Sequence, residues 1–517
     1  MDDDSQSFQF VFLLSSFRAM SILAFAAVFS VSAVLLYVLR LKAPCGCETC
    51  TAFLSTSWRK DFNNLCDWYA HLLRKSPHGT IQVHVLRNVV TADERNVEHV
   101  LRTRFENYPK GKAFSTILGD LLGGGIFNVD GDAWMFQRKM ASLELGSVSM
   151  RAHAFEVTAS EIDDRLIPLL YSFSRRDGAV LDLQDVFRRF SFDTICKFSF
   201  GMDPGCLDMS LPVSEFVDAF DTASRLCAER AMAPTALLWK LKRAFNVGSE
   251  RRLGEAVKRV NALAADVIKR KRETGSFRGL GAQNDLLTRF MFSVDDDKFL
   301  KDIVVSFLLA GRDTVASALT SFFWLLSQHP EVRAAILEEF ERVIRSTTGE
   351  GELIATTATF DQLRKLHYLH AAVYECMRLY PPVQFDSKFA LEDDVLPDGT
   401  FVGKGTRVTY HPYAMGRMER LWGPDCLEFR PERWLNVAGV FRPESPYKYP
   451  VFQGGPRVCL GKEMAIMEIK GVILAVVRQF EFKMVEGDGR SLRFDPGLTA
   501  TVRGGLRVAV EEWSPPL

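Results

Sequence analysis

Phe452-Gln453-Gly454-Gly455-Pro456-Arg457-Val458-Cys459-Leu460-Gly461 is the stretch on which the reading of this chain turns. Its cysteine opens an apolar run, Cys459 to Phe480, that reads as a largely buried helix. A cysteine just ahead of a helix has a stabilised thiolate, because the N-terminal amides and the macrodipole favour negative charge there. The two glycines are expected to let the backbone approach something flat and bulky. Arg457 is placed to pair with an acidic group on that same ligand. A thiolate as the sole protein axial ligand suits haem iron, where it favours O–O cleavage. Taken alone, Cys459 reads equally well as a buried structural cysteine. The rest of the chain has to decide.

Working outward, Ile303–Leu326 is apolar on almost every face, interrupted by Arg312 and Asp313. Two charges near the middle of a membrane span cost several kcal/mol. A helix through the centre of a folded body, with its charges at a functional site, fits better. Within it, Ala310-Gly311-Arg312-Asp313-Thr314 holds a mid-helix glycine that costs about 1 kcal/mol relative to alanine. A small residue there leaves room for dioxygen, with Thr314 as hydrogen-bond donor and Asp313 as proton relay. The alternative is a threonine bonded back to its own helix. Glu375 and Arg378 share one helix face three residues apart, and Phe429-Arg430-Pro431-Glu432-Arg433-Trp434 follows. That helix is expected to start at Thr359, with Gln362 completing a capping box, and to end before Pro381-Pro382. Trp134 and Arg138, one turn apart, offer an indole N–H and a guanidinium.

The ten-residue loop closely resembles the cysteine loop of the haem-thiolate monooxygenases, the cytochrome P450 superfamily. All of its fixed positions are present, and the other three motifs follow in the family order. The resemblance implies a mainly α fold with a small β portion, preceded by one N-terminal transmembrane helix. It implies haem b with Cys459 as iron ligand, and Arg457, Phe452, Trp134 and Arg138 around the cofactor. Thr314 and Asp313 become the catalytic pair, while Glu375, Arg378 and Arg433 form a buried structural cluster. Electrons would reach the haem from NADPH through a membrane-bound reductase docking near the Cys459 loop.

Composition agrees with a folded protein. The 517 residues are 47% hydrophobic and 25% charged, with 64 basic and 64 acidic side chains. A disordered chain, a collagen and a disulfide scaffold are excluded. Zero net charge argues against a nucleic-acid partner. The neutral total conceals an uncharged run from Ala19 to Leu39, long enough as a helix to span roughly 30 Å of hydrocarbon. Arg18 alone precedes it and Arg40 and Lys42 follow, which orients the remaining chain to the cytoplasm. The organisation expected is an anchor over 1–42, a hinge over 43–60 and one haem domain over 61–517. The resemblance places it in the endoplasmic reticulum membrane. Cys45, Cys47 and Cys50 raise the question of zinc, but no paired second half follows at useful spacing. They are read as reduced thiols.

Segments expected to line the substrate pocket are Phe114–Phe127, part of 210–240, Phe307–Ala310, Val383–Lys388 and Leu498–Val502. Mostly apolar, with Gln384, Asp386 and Lys388 just beyond Pro382, they suit a long apolar molecule with a polar or anionic end; the alternative, equally open, is that those three face solvent or the haem carboxylates. The runs Asn64–Tyr69, Pro381–Lys388 and Tyr410–Arg417 resemble plant fatty-acid ω-hydroxylases, above all the branch that oxidises jasmonoyl-isoleucine. That implies ω-hydroxylation, continuing to the carboxylic acid, of the conjugate or of fatty acids. Two rival readings are a reductase-independent isomerase acting on fatty-acid peroxides and an anchored haem- or lipid-binding protein without turnover.

Overall fold

The apolar run around Arg312 and Asp313 folds as one helix, Asp297–Leu326, whose start is capped by the Asp296 side chain accepting from the Lys298 amide. It belongs to a computed structural model describing residues 45–208, 215–233, 235–273, 285–347, 358–485, 491–495 and 497–513. A helix apolar on every side must be enclosed, and most of this one is buried. Its central charges are answered within the protein. Arg312 donates to Asp221 Oδ1 at 2.5 Å and lies 3.3 Å from Asp313 Oδ1. The expected core helix is what forms.

Helix Leu183–Phe200 packs against it, capped at its start by Asp182 and ended by Gly201 at φ 58°. The approach is close: a Cβ on Gly311 would run into the Ile195 side chain. Phe187 stacks on Phe323 with ring centroids 5.4 Å apart. Phe190, Phe220, Phe290 and Phe322 are also fully buried. Helices Glu215–Met232 and Gly248–Glu273 close the same apolar core.

The β portion is small. Thr80–Val83, Asn88–Thr91, Arg407–Tyr410 and Asp386–Phe389 form one sheet in that spatial order. Val89 pairs with Val408 in parallel, and Lys388 with the same Val408 antiparallel. Near the C-terminus Arg507–Glu512 lies between Leu181–Asp182 and Phe480–Met484.

Three local expectations change. The helix expected from Thr359 keeps its capping box but breaks at Leu366, giving Phe360–Lys365 and His367–Leu379. The freed carbonyls of Leu363 and Leu366 accept from Lys470 Nζ, which makes the break affordable. Residues 43–60, expected as a hinge, contain the helix Glu48–Ser55. The period-2 run Ile81-Gln82-Val83-His84-Val85 predicts a strand through Val85; the strand stops at Val83, and His84–Leu86 is a single 3₁₀ turn. The chain falls into two units, Met1–Trp58 with Val83–Val85, and Arg59–Gln82 with Leu86–Leu517. The expected anchor Ala19–Leu39 and the loop-like stretch Gly275–Gln283 lie outside the described residues.

Candidate active site

The Cys459 loop is folded by its own backbone. The Cys459 amide donates to the Phe452 carbonyl at 2.8 Å, and Gln453 and Gly455 take φ of 64° and 60°. The glycines serve internal packing. A Cβ on Gly455 would strike the Leu101 carbonyl, and one on Gly454 would meet the Tyr447 ring at 2.9 Å. Neither glycine lines the cavity, which corrects the expectation that they make room for a ligand. Cys459 is exposed, but onto a cavity. Its thiol is therefore desolvated and pushed above its ordinary value, although the Gly461 amide, Arg138 and Lys462 pull it down. The helix itself starts only at Lys462. A helix start alone does not ionise this thiol; a coordinating cation does.

That cavity encloses about 480 Å³, a volume typical of cofactor and small-molecule sites. Part of its wall comes from the segments expected: Phe114, Leu118 and Phe127, Ala228, Ala231 and Met232, Phe307, Leu309 and Ala310, and Leu498 to Ala500. Ala141, Phe155, Ile195, Phe198 and Met464 add walls that were not expected. Val383 to Ser387 also line it, whereas Lys388 does not. Cys459 is the only cysteine on its wall among the described residues. All ten cysteines are free thiols.

Four arginines stand at this cavity, Arg138, Arg151, Arg407 and Arg457; two of them bear on a cofactor. Arg457 donates to Asp130 Oδ1 at 2.7 Å and to the Val129 carbonyl at 2.9 Å, while its buried Nε has no partner among the described residues. Arg138 has no hydrogen-bond or ion-pair partner among them, and burial lowers its pKa. Trp134 does not reach the cavity wall; its ring lies 4.5 Å beneath the Arg457 guanidinium. Phe452 lines the wall. An unpartnered buried N–H and an unpaired arginine need an anion. With the lone Cys459 thiol on the same wall, the residues fit a haem and its carboxylates.

On the long helix Ala310, Gly311 and Thr314 face the cavity, and Asp313 does not. Thr314 Oγ1 donates to the Ala310 carbonyl at 2.6 Å, the back-bonded state that loosens a helix turn. Asp313 sits beside Arg312, and burial raises its pKa. Gly311 lines the cavity, yet its missing Cβ is required first by Ile195.

Beneath the site, Glu375 and Arg378 are fully buried. Arg378 makes a two-pronged pair with the carboxylate at 2.7 and 2.8 Å. Arg433 Nε, Trp434 Nε1 and the Arg430 amide also donate to Glu375. Arg378 in turn donates to the Gly416, Cys426 and Glu428 carbonyls. The pair is a satisfied buried network and not a solvated surface contact.

The family model described as Cytochrome P450 matches residues 51–506. The chain belongs to the cytochrome P450 family. It is 62% identical to cytochrome P450 94C1 of Arabidopsis thaliana, over 93% of this chain and 96% of that protein. Identity is 47% to cytochrome P450 94B3 of the same plant, over 89% and 90%. To cytochrome P450 94A2 of Vicia sativa it is 44%, over 88% of each chain. As a cytochrome P450 it is a monooxygenase, holding haem on a cysteine thiolate and drawing electrons from NADPH through a reductase.

Several residues of this P450 site carry no local motif. Asp130 accepts from Arg457 and from the Lys110 and Gly111 amides, a role visible only once residues 327 apart meet. Asp386 gathers Lys110, Lys388, Tyr410 and Gln453, and its carboxyl is held well below the usual range despite burial. Arg407 lines the cavity and donates to Ser387 Oγ and the Ala231 carbonyl, with no carboxylate in ion-pair range among the described residues. Glu468 also lines it, and burial pushes its carboxyl up to about 8.

Proposed function

We propose that this P450 hydroxylates the ω end of long apolar acids, jasmonoyl-isoleucine or its hydroxylated form and fatty acids, and can carry the alcohol on to the carboxylic acid. The carrying observation is a largely apolar cavity whose wall includes both the Cys459 thiol and the half-buried guanidinium of Arg407, which has no carboxylate in ion-pair range among the described residues. With Lys110 and Lys388 answering only Asp386, this region has an excess of positive charge. A substrate carboxylate paired with Arg407 would have its apolar chain directed into the cavity. Gln384, whose buried Nε2 has no partner among the described residues, offers a further donor to that end.

In this reading Cys459 ligates the haem iron, and Arg457 and Arg138 hold its carboxylates. Trp134 supports Arg457 through its ring, and Phe452 packs on the cofactor. When bound, the haem supplies oxygen activation. Thr314 orients and delivers a proton from its hydroxyl once it leaves the Ala310 carbonyl. Asp313, whose carboxyl holds its proton more firmly than usual, replenishes it from behind. Residues 1–42 anchor the chain in the endoplasmic reticulum membrane through one span, 43–60 lead out of it, and 61–517 catalyse on the cytoplasmic side, where the reductase docks near the Cys459 loop.

Turnover with reductase and NADPH should convert jasmonoyl-isoleucine, its hydroxylated form or a fatty acid to the ω-oxidised product. NADPH consumption with no oxidised product from any of them overturns the substrate assignment. Arg407→Leu should raise KM for the free acids by about tenfold or more, the worth of one charge-assisted contact. It should leave KM for the methyl esters unchanged; an equal effect on both removes Arg407 as the anchor.

A further inference from the structure

The cysteine cluster after the expected anchor has a fourth member that its own segment does not contain. Cys45, Cys47, Cys50 and His84 each present a ligand atom, and all four atoms lie within 4.8 Å of one another. His84 Nδ1 is 3.5 Å from Cys45 Sγ and 3.9 Å from Cys47 Sγ. A tetrahedral zinc site with bonds of about 2.3 Å to sulfur and 2.0 Å to nitrogen has sulfur–nitrogen edges of roughly 3.6 Å. The side chains are therefore already near ligand spacing. Two of the sulfurs also carry amide donors, as zinc thiolates do. The Cys50 amide donates to Cys47 Sγ at 3.5 Å, and the Val85 amide to Cys50 Sγ at 3.4 Å. All four residues belong to one unit of the chain, Met1–Trp58 with Val83–Val85.

We propose that Cys45, Cys47, Cys50 and His84 form a structural Cys₃His zinc site, separate from the haem. Three thiolates and one imidazole are a borderline-soft set suited to Zn²⁺. Four protein ligands leave no open position, so the ion acts as a clip and not as a catalyst. It ties the helix Glu48–Ser55 to the turn at His84–Leu86 across more than thirty residues of chain.

The test uses the full chain, purified in detergent without a histidine tag or chelator and reduced before metal analysis. About one zinc per chain is expected beside the haem iron, and zinc-edge absorption should fit three sulfurs and one nitrogen. Cys47→Ser with Cys50→Ser should lower zinc at least tenfold while the reduced carbon monoxide band persists. If that band is lost, the exposed His84→Ala is read instead and should replace the nitrogen scatterer or release the ion. Zinc below about a tenth of an equivalent after incubation with Zn²⁺ and reductant overturns the proposal. So does zinc that the variants leave untouched, or a disulfide among the three cysteines in freshly isolated protein.

Discussion

At the scale of single residues, burial decides the chemistry more than charge pairing does. Cys459 faces a cavity that raises its thiol, so in the proposed site a bound cation, and not the helix start, would hold it as a thiolate. Cys459→Ser should abolish the haem-thiolate absorption of the reduced carbon monoxide complex; survival of that band would remove Cys459 as ligand. Glu468 behaves in the opposite sense to a salt-bridged carboxylate. Its pKa is raised from the ordinary 4.5 to about 8 by burial alone. The folded state keeps this proton while the unfolded chain releases it, so stability falls as pH climbs through that window. Melting temperatures of wild type and Glu468→Gln between pH 5 and pH 8 should diverge, with the variant gaining as pH rises. Parallel curves would show that the carboxyl is not held neutral. Neither property is visible in the residue's neighbours along the chain, because desolvation is set by what packs from elsewhere.

Among elements, the contact between helices Leu183–Phe200 and Asp297–Leu326 controls the shape of the cavity. Gly311 is a glycine because Ile195 occupies the space of its Cβ. Gly311→Ala should cost about 1–3 kcal/mol through overpacking. Combining it with Ile195→Ala should lose less than the sum of the two single changes, as read by denaturant unfolding. Additive losses would show that the two positions do not share the space. The long helix itself was legible from its all-round apolar character and its two central charges. The break at Leu366 was not, since it depends on Lys470 arriving from a helix about a hundred residues later to satisfy two carbonyls.

For the molecule as a whole, the anchor and the catalytic body are expected to be separable functions. A chain lacking residues 1–42 should keep its reduced carbon monoxide band and leave the membrane fraction; loss of the band would tie those residues to the haem fold. The sequence by itself determined the family and the cysteine loop, because each is written in residues a few positions apart; the pairing of Glu375 with Arg378 was legible from their spacing, but its burial followed from the resemblance alone. It also pointed to part of the cavity wall, while Ala141, Phe155, Ile195, Phe198 and Met464 join that wall only in the folded chain. Only the tertiary structure decided that Gly455 accommodates Leu101, that Asp130 partners Arg457, and that His84 joins three cysteines. Those facts join residues tens to hundreds of positions apart, and no local pattern records a distance that chain folding alone creates.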